Sequence, residues 1–361
     1  MAKKTDNASR EILHRKTPVW LCVLTCFYVA LLSALTVLNR YGPDSWWFGD
    51  VNLFLPQVIW LVPGICLVCL SLAVARHWLW VPLLCIVWVL GPIMDFHWRF
   101  DVSPGAAGGR RQFRVMTCNV KYGKRNISAL VDDITRNAPD VIILQDVDDE
   151  LLNKTFGKMF AKWNISSRND KKYIVASKYP LGQATVSLIP YRDEPHSCLR
   201  CQVLIGSVTV TVYDVHFVSP REGLYEFTSS RRQPGTLPKA IHNLKANQED
   251  RLSQARALSE LLRREVGPVI VAGDLNSSDA SLVCKTLQDG WLHDSFAEGG
   301  RGYGYTYGHY LLRNKHPWFN HSWMRIDHVM ISPHLESLHC WTGNGEASDH
   351  RPVFADLILK F

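Results

Sequence analysis

The chain has 361 residues, 47% of them hydrophobic, and 40 Lys and Arg against 33 Asp and Glu give it a formal charge of +7. Its apolar residues gather in three long uncharged runs within the first hundred positions, which excludes a chain bathed wholly in water. From Phe113 onward 30 basic residues face 27 acidic ones, an excess too mild to imply a polyanionic partner by itself.

In chain order, residues 1–17 form a basic tail with Lys3, Lys4, Arg10, Arg15 and Lys16. Residues 18–38 then run 21 positions without a charge and residues 51–75 run 25. Either is long enough for a hydrocarbon core of roughly 30 Å at about 1.5 Å per residue. Residues 78–94 add 17 more, at the lower limit. The pattern predicts three transmembrane helices. A signal peptide is the alternative for the first, but its apolar core exceeds the usual ~7–15 residues and no small-residue cleavage site follows. The basic tail, set against Asp44 and Asp50 in the first loop, places the N-terminus in the cytoplasm. Trp46, Trp47 and Phe48 then suit the headgroup level on the other side. Three crossings put everything past Met94 outside the cytoplasm, in a multi-pass protein of the inner or plasma membrane. Two crossings would leave it inside, the alternative that Arg99, Arg110, Arg111 and Arg114 favour.

Residues 95–112, small and Gly-rich, read as a flexible linker, and residues 113–361 as one globular domain. Its strand-like runs are FRVMTCNV, DVIILQDV, KYIVASKY, SCLRCQVLI, SVTVTVYDVHF, GPVIVAGDL, RIDHVMIS and RPVFADLIL. Ile127–Asn137 and Ala246–Glu265 read as helices. In the second, Leu252, Ala255, Leu258, Leu261 and Leu262 share a face, with Arg251, Arg256, Arg263 and Arg264 off it on a mostly solvated face. Many strands and few helices suggest two packed sheets with helices outside. Cys198 and Cys201 form one C-x-x-C, without the second pair that a zinc site needs; a disulfide and two free thiols both stay open.

Polar residues suited to phosphate chemistry recur where an apolar run ends. Asn119 follows RVMTC, Asp146 follows VIILQ, and His216 follows VTVYDV. Asp274 and Asn276 follow VIVAG, Asp327 sits in MRIDHVM, and Asp349 and His350 precede RPVFADLIL. Each has a bland reading. Gly273–Asn276 makes an ordinary turn, Ser348–His350 a cap, His216 a structural histidine, and Asp327 a partner for Arg325. Asp148, Asp149 and Glu150, after Asp146, read as solvated or capping. Taken together they outline a site on loops of a rigid scaffold.

The ordered motifs TCNV, LQDV, YDVHF, AGDLNS, RIDHVMIS and SDHRPV, with SKYPL at Ser177–Leu181, resemble those of the endonuclease/exonuclease/phosphatase superfamily, the DNase I-like fold, over 113–361. The resemblance implies a four-layer α/β sandwich, here preceded by three transmembrane helices, that hydrolyses a phosphoric ester with Mg²⁺, or with Mn²⁺ or Ca²⁺. It implies metal contacts from Asn119, Asp146 and Asp349. Asp274 would orient or deprotonate water with Asn276 beside it, and His216 would donate to the phosphoryl group or the leaving oxygen. His350 would be the second histidine, its tautomer set by Asp327. Such a site suits a hard ion held by oxygen ligands, and histidine suits proton transfer near neutral pH.

Two positions depart from the family pattern: Asp146 replaces the usual Glu, and Lys121 stands where some nucleases carry Asp, which makes Lys121 a phosphate-binding cation. Arg221, in a basic stretch with Arg231, Arg232, Lys239 and Lys245, reads as substrate-binding. So does Tyr307, in the aromatic segment Gly302–Trp323. The expected substrate is a phosphate ester, a lipid headgroup or nucleic acid, and no protein partner is evident. The rival reading is a silent member of the same fold that binds a phosphorylated ligand or lipid.

Overall fold

A backbone withdrawn from water must bond internally, so long uncharged runs fold as helices. The computed structural model describes residues 17–41, 47–99, 110–148, 156–168, 172–192, 194–229, 234–289, 291–311 and 320–360. Residues 1–16 of the basic tail, residues 100–109 of the linker, Trp46, Asp149, Glu150, Arg231, Arg232, Trp318 and Phe319 lie outside them. The chain divides into two units, Met1–Gly42 with Leu55–Phe96, and Pro43–Phe54 with His97–Phe361.

The N-terminal helices are α1 (Val19–Tyr41), α2 (Trp47–Phe54), α3 (Gln57–Val74) and α4 (Arg76–Ile93), of which α1, α3 and α4 are long and apolar enough to cross a membrane. On α1, Leu21, Tyr28, Leu32 and Leu35 make one stripe that packs on Leu67, Cys85, Val89 and Ile93. Val23, Phe27, Val62, Ile65, Leu84 and Val87 point outward, leaving the outer surface as apolar as the seam. Polar groups tie the helices: the Tyr28 hydroxyl donates to the Trp60 carbonyl at 2.6 Å, and Trp88 Nε1 to Thr36 Oγ1 at 3.0 Å.

Two boundaries differ from the sequence reading. The run from residue 51 is not one helix, because Pro56 disfavours helical backbone before it; α2 stops at Phe54, belongs to the second unit, and the long apolar helix begins at Gln57. The linker is not free at its start: His97 and Gly302 exchange backbone hydrogen bonds of 2.9 Å each, and Arg99 Nη1 donates to the Ser337 carbonyl at 2.8 Å.

The second unit holds β1 (Gln112–Asn119), α5 (Ile127–Asn137), β2 (Val141–Gln145), β3 (Asn164–Arg168), β4 (Tyr173–Ser177), β5 (Leu181–Leu188), β6 (Ser197–Ile205), β7 (Val208–His216), α6 (Arg221–Ser229), α7 (Leu237–Leu262), β8 (Val269–Asp274), α8 (Leu282–Gln288), β9 (His293–Asp294), α9 (Ser295–Gly299), β10 (Asp327–Ile331), β11 (Leu335–Thr342) and β12 (Val353–Leu359). They form two six-stranded sheets, ordered β11-β12-β1-β2-β4-β3 and β5-β6-β7-β8-β10-β9. The inner faces share one core that includes Val115, Ile143, Val203, Val212, Ile270 and Val329. Leu130 and Ile134 of α5 cover the outside of the first sheet, and Ala255, Leu258, Val283 and Leu287 of α7 and α8 cover the second. The result is the four-layer α/β sandwich.

Strand alternation settles the cysteine pair. Cys201 faces the inter-sheet core with Leu199 and Val203, while Cys198 faces the helices with Tyr213. Residues three apart on a strand point to opposite faces, so both thiols are free. The long helix begins at Leu237, nine residues before Ala246, and its charged face is not all solvated. Asp250, Arg251 and Gln254 are buried, and Gln254 Oε1 accepts from the Val218 amide at 2.9 Å.

Candidate active site

Following the inner face of each strand outward leads from apolar to polar in a fixed order. β7 presents Val210, Val212, Asp214 and His216 inward, and β8 presents Ile270, Ala272 and Asp274. β7 and β8 run parallel with His216 opposite Asp274, and β8 and β10 antiparallel with Asp327 opposite Asp274. In the facing sheet β1 and β2 run parallel and set Asn119 opposite Gln145. Beneath lies a polar layer in which Gln145 Nε2 donates to Asp214 Oδ1 at 2.7 Å and to Thr117 Oγ1 at 3.1 Å. The site is the polar end of the core, and sheet register aligns its members.

Asp274 is the hub. Its Oδ2 accepts from Asn119 Nδ2 at 3.1 Å and lies 3.5 Å from His216 Nε2 and 3.6 Å from His350 Nε2. Its Oδ1 accepts from the Asn276 amide at 2.9 Å, and Asn276 Nδ2 donates to the Phe217 carbonyl at 2.9 Å, which holds the turn after His216. Each imidazole is aimed by a carboxylate on its other nitrogen. His350 Nδ1 is 2.9 and 3.0 Å from the two Asp327 oxygens, and His216 Nδ1 is 3.3 Å from Asp146 Oδ1. Asp349 stands at the rim, 3.9 Å from Arg221 Nη2. Tyr307 packs its ring 4.8 Å from that of His350.

The electrostatics follow from burial and pairing. Burial pushes the Asp146 carboxyl up, but the His216 hydrogen bond and charge, Lys121 and Tyr122 outweigh it and hold it down at about 2. Burial would push His350 down; the carboxylates of Asp327, Asp274 and Asp349 instead raise it to about 9. His216 is likewise raised, against burial, by Asp146 and Asp274. Asp274 is raised, by burial first, although both imidazoles oppose it.

Sequence reading named Asn119, Asp146, His216, Asp274, Asn276, Asp327, Asp349, His350, Arg221 and Tyr307 for the site, and the structure gathers them at one end of the sheets. Lys121 joins them through its backbone, which donates to Asn119 Oδ1 at 3.1 Å. Asp146 stands apart in one respect: the buried donors that lie within reach of a single ion are Asp274, Asp327 and His350, while Asp146 is engaged by His216. Lys239, from the basic stretch, pairs with Glu226 instead. Asp327 does not pair with Arg325, whose guanidinium bonds Asp294 at 2.8 and 3.0 Å and also Asp279. That second acidic cluster, with His328, is thereby neutralised from within.

Three contributors escaped the sequence reading. The Tyr122 side chain hydrogen-bonds Asp146. Ser348 Oγ donates to the Asn119 carbonyl at 2.7 Å, and Thr306 Oγ1 accepts from the amides of Ile326 and Asp327. Lys121, Tyr122, Asp146 and Asn276 all have φ between 49° and 55°, a region that side chains other than Gly enter at a cost and that clusters at functional sites.

A family model described as the Endonuclease/Exonuclease/phosphatase family matches residues 116–350. Among solved structures, D. rerio TDP2 complexed with single strand DNA product shares 16% identity and a TM-score of 0.52, covering 68% of this chain and 98% of that one. TDP2 from Caenorhabditis elegans shares 20% identity with a TM-score of 0.51, covering 69% and 74%. The endonuclease/exonuclease/phosphatase from Bacteroides vulgatus shares 16% with a TM-score of 0.50, covering 70% and 100%. None of the curated proteins matches the chain in sequence.

Proposed function

Because the chain belongs to the endonuclease/exonuclease/phosphatase family, whose members cleave phosphoester bonds, we propose that it is a membrane-anchored, divalent-metal-dependent phosphoric ester hydrolase with its α/β unit outside the cytoplasm. The observation that carries this is the hub at Asp274 Oδ2, flanked by two imidazoles that are each aimed by their own carboxylate. A binding module has no use for that pairing of acid and base. Asp274, buried and raised, accepts a proton from the attacking water. His216 and His350, both raised by the carboxylates around them, neutralise the phosphoryl oxygens and return a proton to the leaving oxygen. Asn119 and Asn276 hold the hub carboxylate in place.

A donor set of oxygens with an imidazole and no thiolate fits a hard divalent ion. By the family pattern Asn119, Asp146 and Asp349 would hold it, while the buried donors that lie within reach of one ion are Asp274, Asp327 and His350. When bound, such an ion withdraws charge from the phosphoryl oxygens.

Sidedness rests on α2, which lies between the first two spans. Its Phe54 carbonyl accepts from Trp323 Nε1 of the α/β unit at 3.1 Å, which supports three crossings over two. The purified full-length chain in detergent should hydrolyse bis(p-nitrophenyl) phosphate with Mg²⁺ and stop in EDTA. Intact cells expressing it should hydrolyse a membrane-impermeant phosphodiester added outside. Turnover only after lysis would put the unit in the cytoplasm, and turnover that survives EDTA would remove the metal.

The silent-member reading rests on Asp146, and its reach is testable. Asp146 is 6% exposed with left-handed backbone, a conformation Asp tolerates better than Glu. One added methylene overfills such a pocket at about 1–3 kcal/mol. Asp146→Glu should therefore lower kcat about tenfold or more. A rise in kcat or tighter Mg²⁺ binding would instead show the shorter acid to be a handicap.

A further inference from the structure

Beside His350 opens a cavity of about 150 Å³ lined by Arg125, Arg221, Tyr307, Tyr310, Leu311 and Asp349. Asp349 adjoins His350 in sequence, and Tyr307 pairs with His350 through the backbone, so the cavity begins one side chain from the reacting centre. Its volume is well below the roughly 300–1,000 Å³ of a pocket for a drug-sized ligand. It holds one chemical group rather than a nucleoside or a sugar ring.

The lining says which group. The Arg125 guanidinium lies 3.6 Å over the Tyr310 ring and has no carboxylate partner among the described residues. Stacking fixes the plane of a guanidinium while leaving its N–H edge to fork onto an oxyanion. Arg221 adds a second guanidinium, held by a hydrogen bond to the Tyr307 side chain and 3.9 Å from the nearest Asp349 oxygen. Arg125 covers one face of Tyr310 and His350 packs on Tyr307, so the cavity offers charge rather than a stacking face for a base.

We propose that this cavity is a subsite for a second phosphoryl group of the substrate, so that the enzyme prefers diphosphate esters to monophosphates; the inference rests on the hydrolase reading of the adjacent centre. The terminal phosphoryl group lies against Asp274 and the histidines, and the inner one lies between Arg125 and Arg221. Water adds its hydroxyl to the terminal phosphorus, the bridging P–O bond breaks, and the bridging oxygen leaves on the monophosphate ester carrying the proton. Inorganic phosphate is the other product.

The test uses the full chain in detergent with Mg²⁺ and two substrate pairs: a long-chain alkyl diphosphate with its monophosphate, and thymidine 5′-diphosphate with its monophosphate. Phosphate release should favour the diphosphate of at least one pair by about tenfold or more in kcat/KM. The better pair tells a lipid from a soluble nucleotide. Arg125→Gln with Arg221→Gln should bring the ratio near one, chiefly through KM, and Lys at both positions should restore part of it. Calorimetry with inorganic pyrophosphate and inorganic phosphate reads the subsite without turnover. Tighter binding of pyrophosphate that the Gln pair abolishes upholds the subsite even if no ester is cleaved, an outcome that sinks the hydrolase alone. Equal binding of the two anions by the wild type, or a preference the Gln pair leaves intact, overturns it.

Discussion

Asp274→Asn should lower kcat/KM for a phosphodiester by about a thousandfold, and His350→Gln by about a hundredfold or more, with KM little changed. The replacement at 274 keeps the acceptor for the Asn276 amide and the shape of the side chain, but cannot take a proton. General acid–base groups contribute roughly 10²–10⁴-fold, and Asp274 also orders both imidazoles through one oxygen. His350→Gln leaves Asp327 buried without its imidazole, and Asp274→Asn sets an amide against the Asn119 amide and both imidazoles, so both losses of rate should come with some loss of stability. Steady-state kinetics with thermal melts on the full-length proteins decide it. Undiminished turnover in both variants would dismiss the site.

Without metal, stability should fall as pH rises from about 6.5 to about 9. His350 is 3% exposed and is raised to about 9 in the folded chain, against a usual value of ~6.5 when unfolded. A base raised on folding contributes stability that is fully present below ~6.5 and is lost as pH climbs through the folded value. The shift corresponds to a loss on the order of 3 kcal/mol across that window. His216, raised in the same direction, adds to the slope. Melting temperatures in EDTA should therefore drop over this range, and His350→Gln should flatten most of the drop. A flat wild-type profile would show that the imidazole is not held cationic.

The eight runs legible as strands are those whose inward residues are apolar along their length, such as VIILQ and VIVAGD. Six of them, β1, β2, β7, β8, β10 and β12, carry the candidate residues at or beside one end, which is why so much of the site could be read beforehand. The strands that escaped are β3, β5, β9 and β11. β3, with the sequence NISSR, and half-exposed β5 have one edge or face in water and no apolar period to reveal them. β9 is two residues long and exists only because β10 lies beside it. Ionic readings failed for a related reason. Arg325 is two residues from Asp327 in sequence, but it lies before β10 begins, and its partners, Asp294 and Asp279, come from elsewhere in the chain. Tyr122 was hidden because its place depends on two successive left-handed residues, a backbone feature that no side-chain pattern records.

His216, Asp274 and Asp327 lie on one hydrogen-bonded row across three strands, and this makes catalysis a gauge of folding fidelity. A strand that slips by one residue turns its apolar set to the wrong face and is rejected by the core. A slip of two keeps every face correct, so β7, with its repeated VTVTV, would lose little burial. It would carry the histidine about 6.6 Å along the sheet, far out of hydrogen-bond range of Asp274. Misregistered molecules would then look folded by compactness and secondary structure while being inert. Specific activity after refolding therefore counts molecules in register, which spectroscopic yield does not.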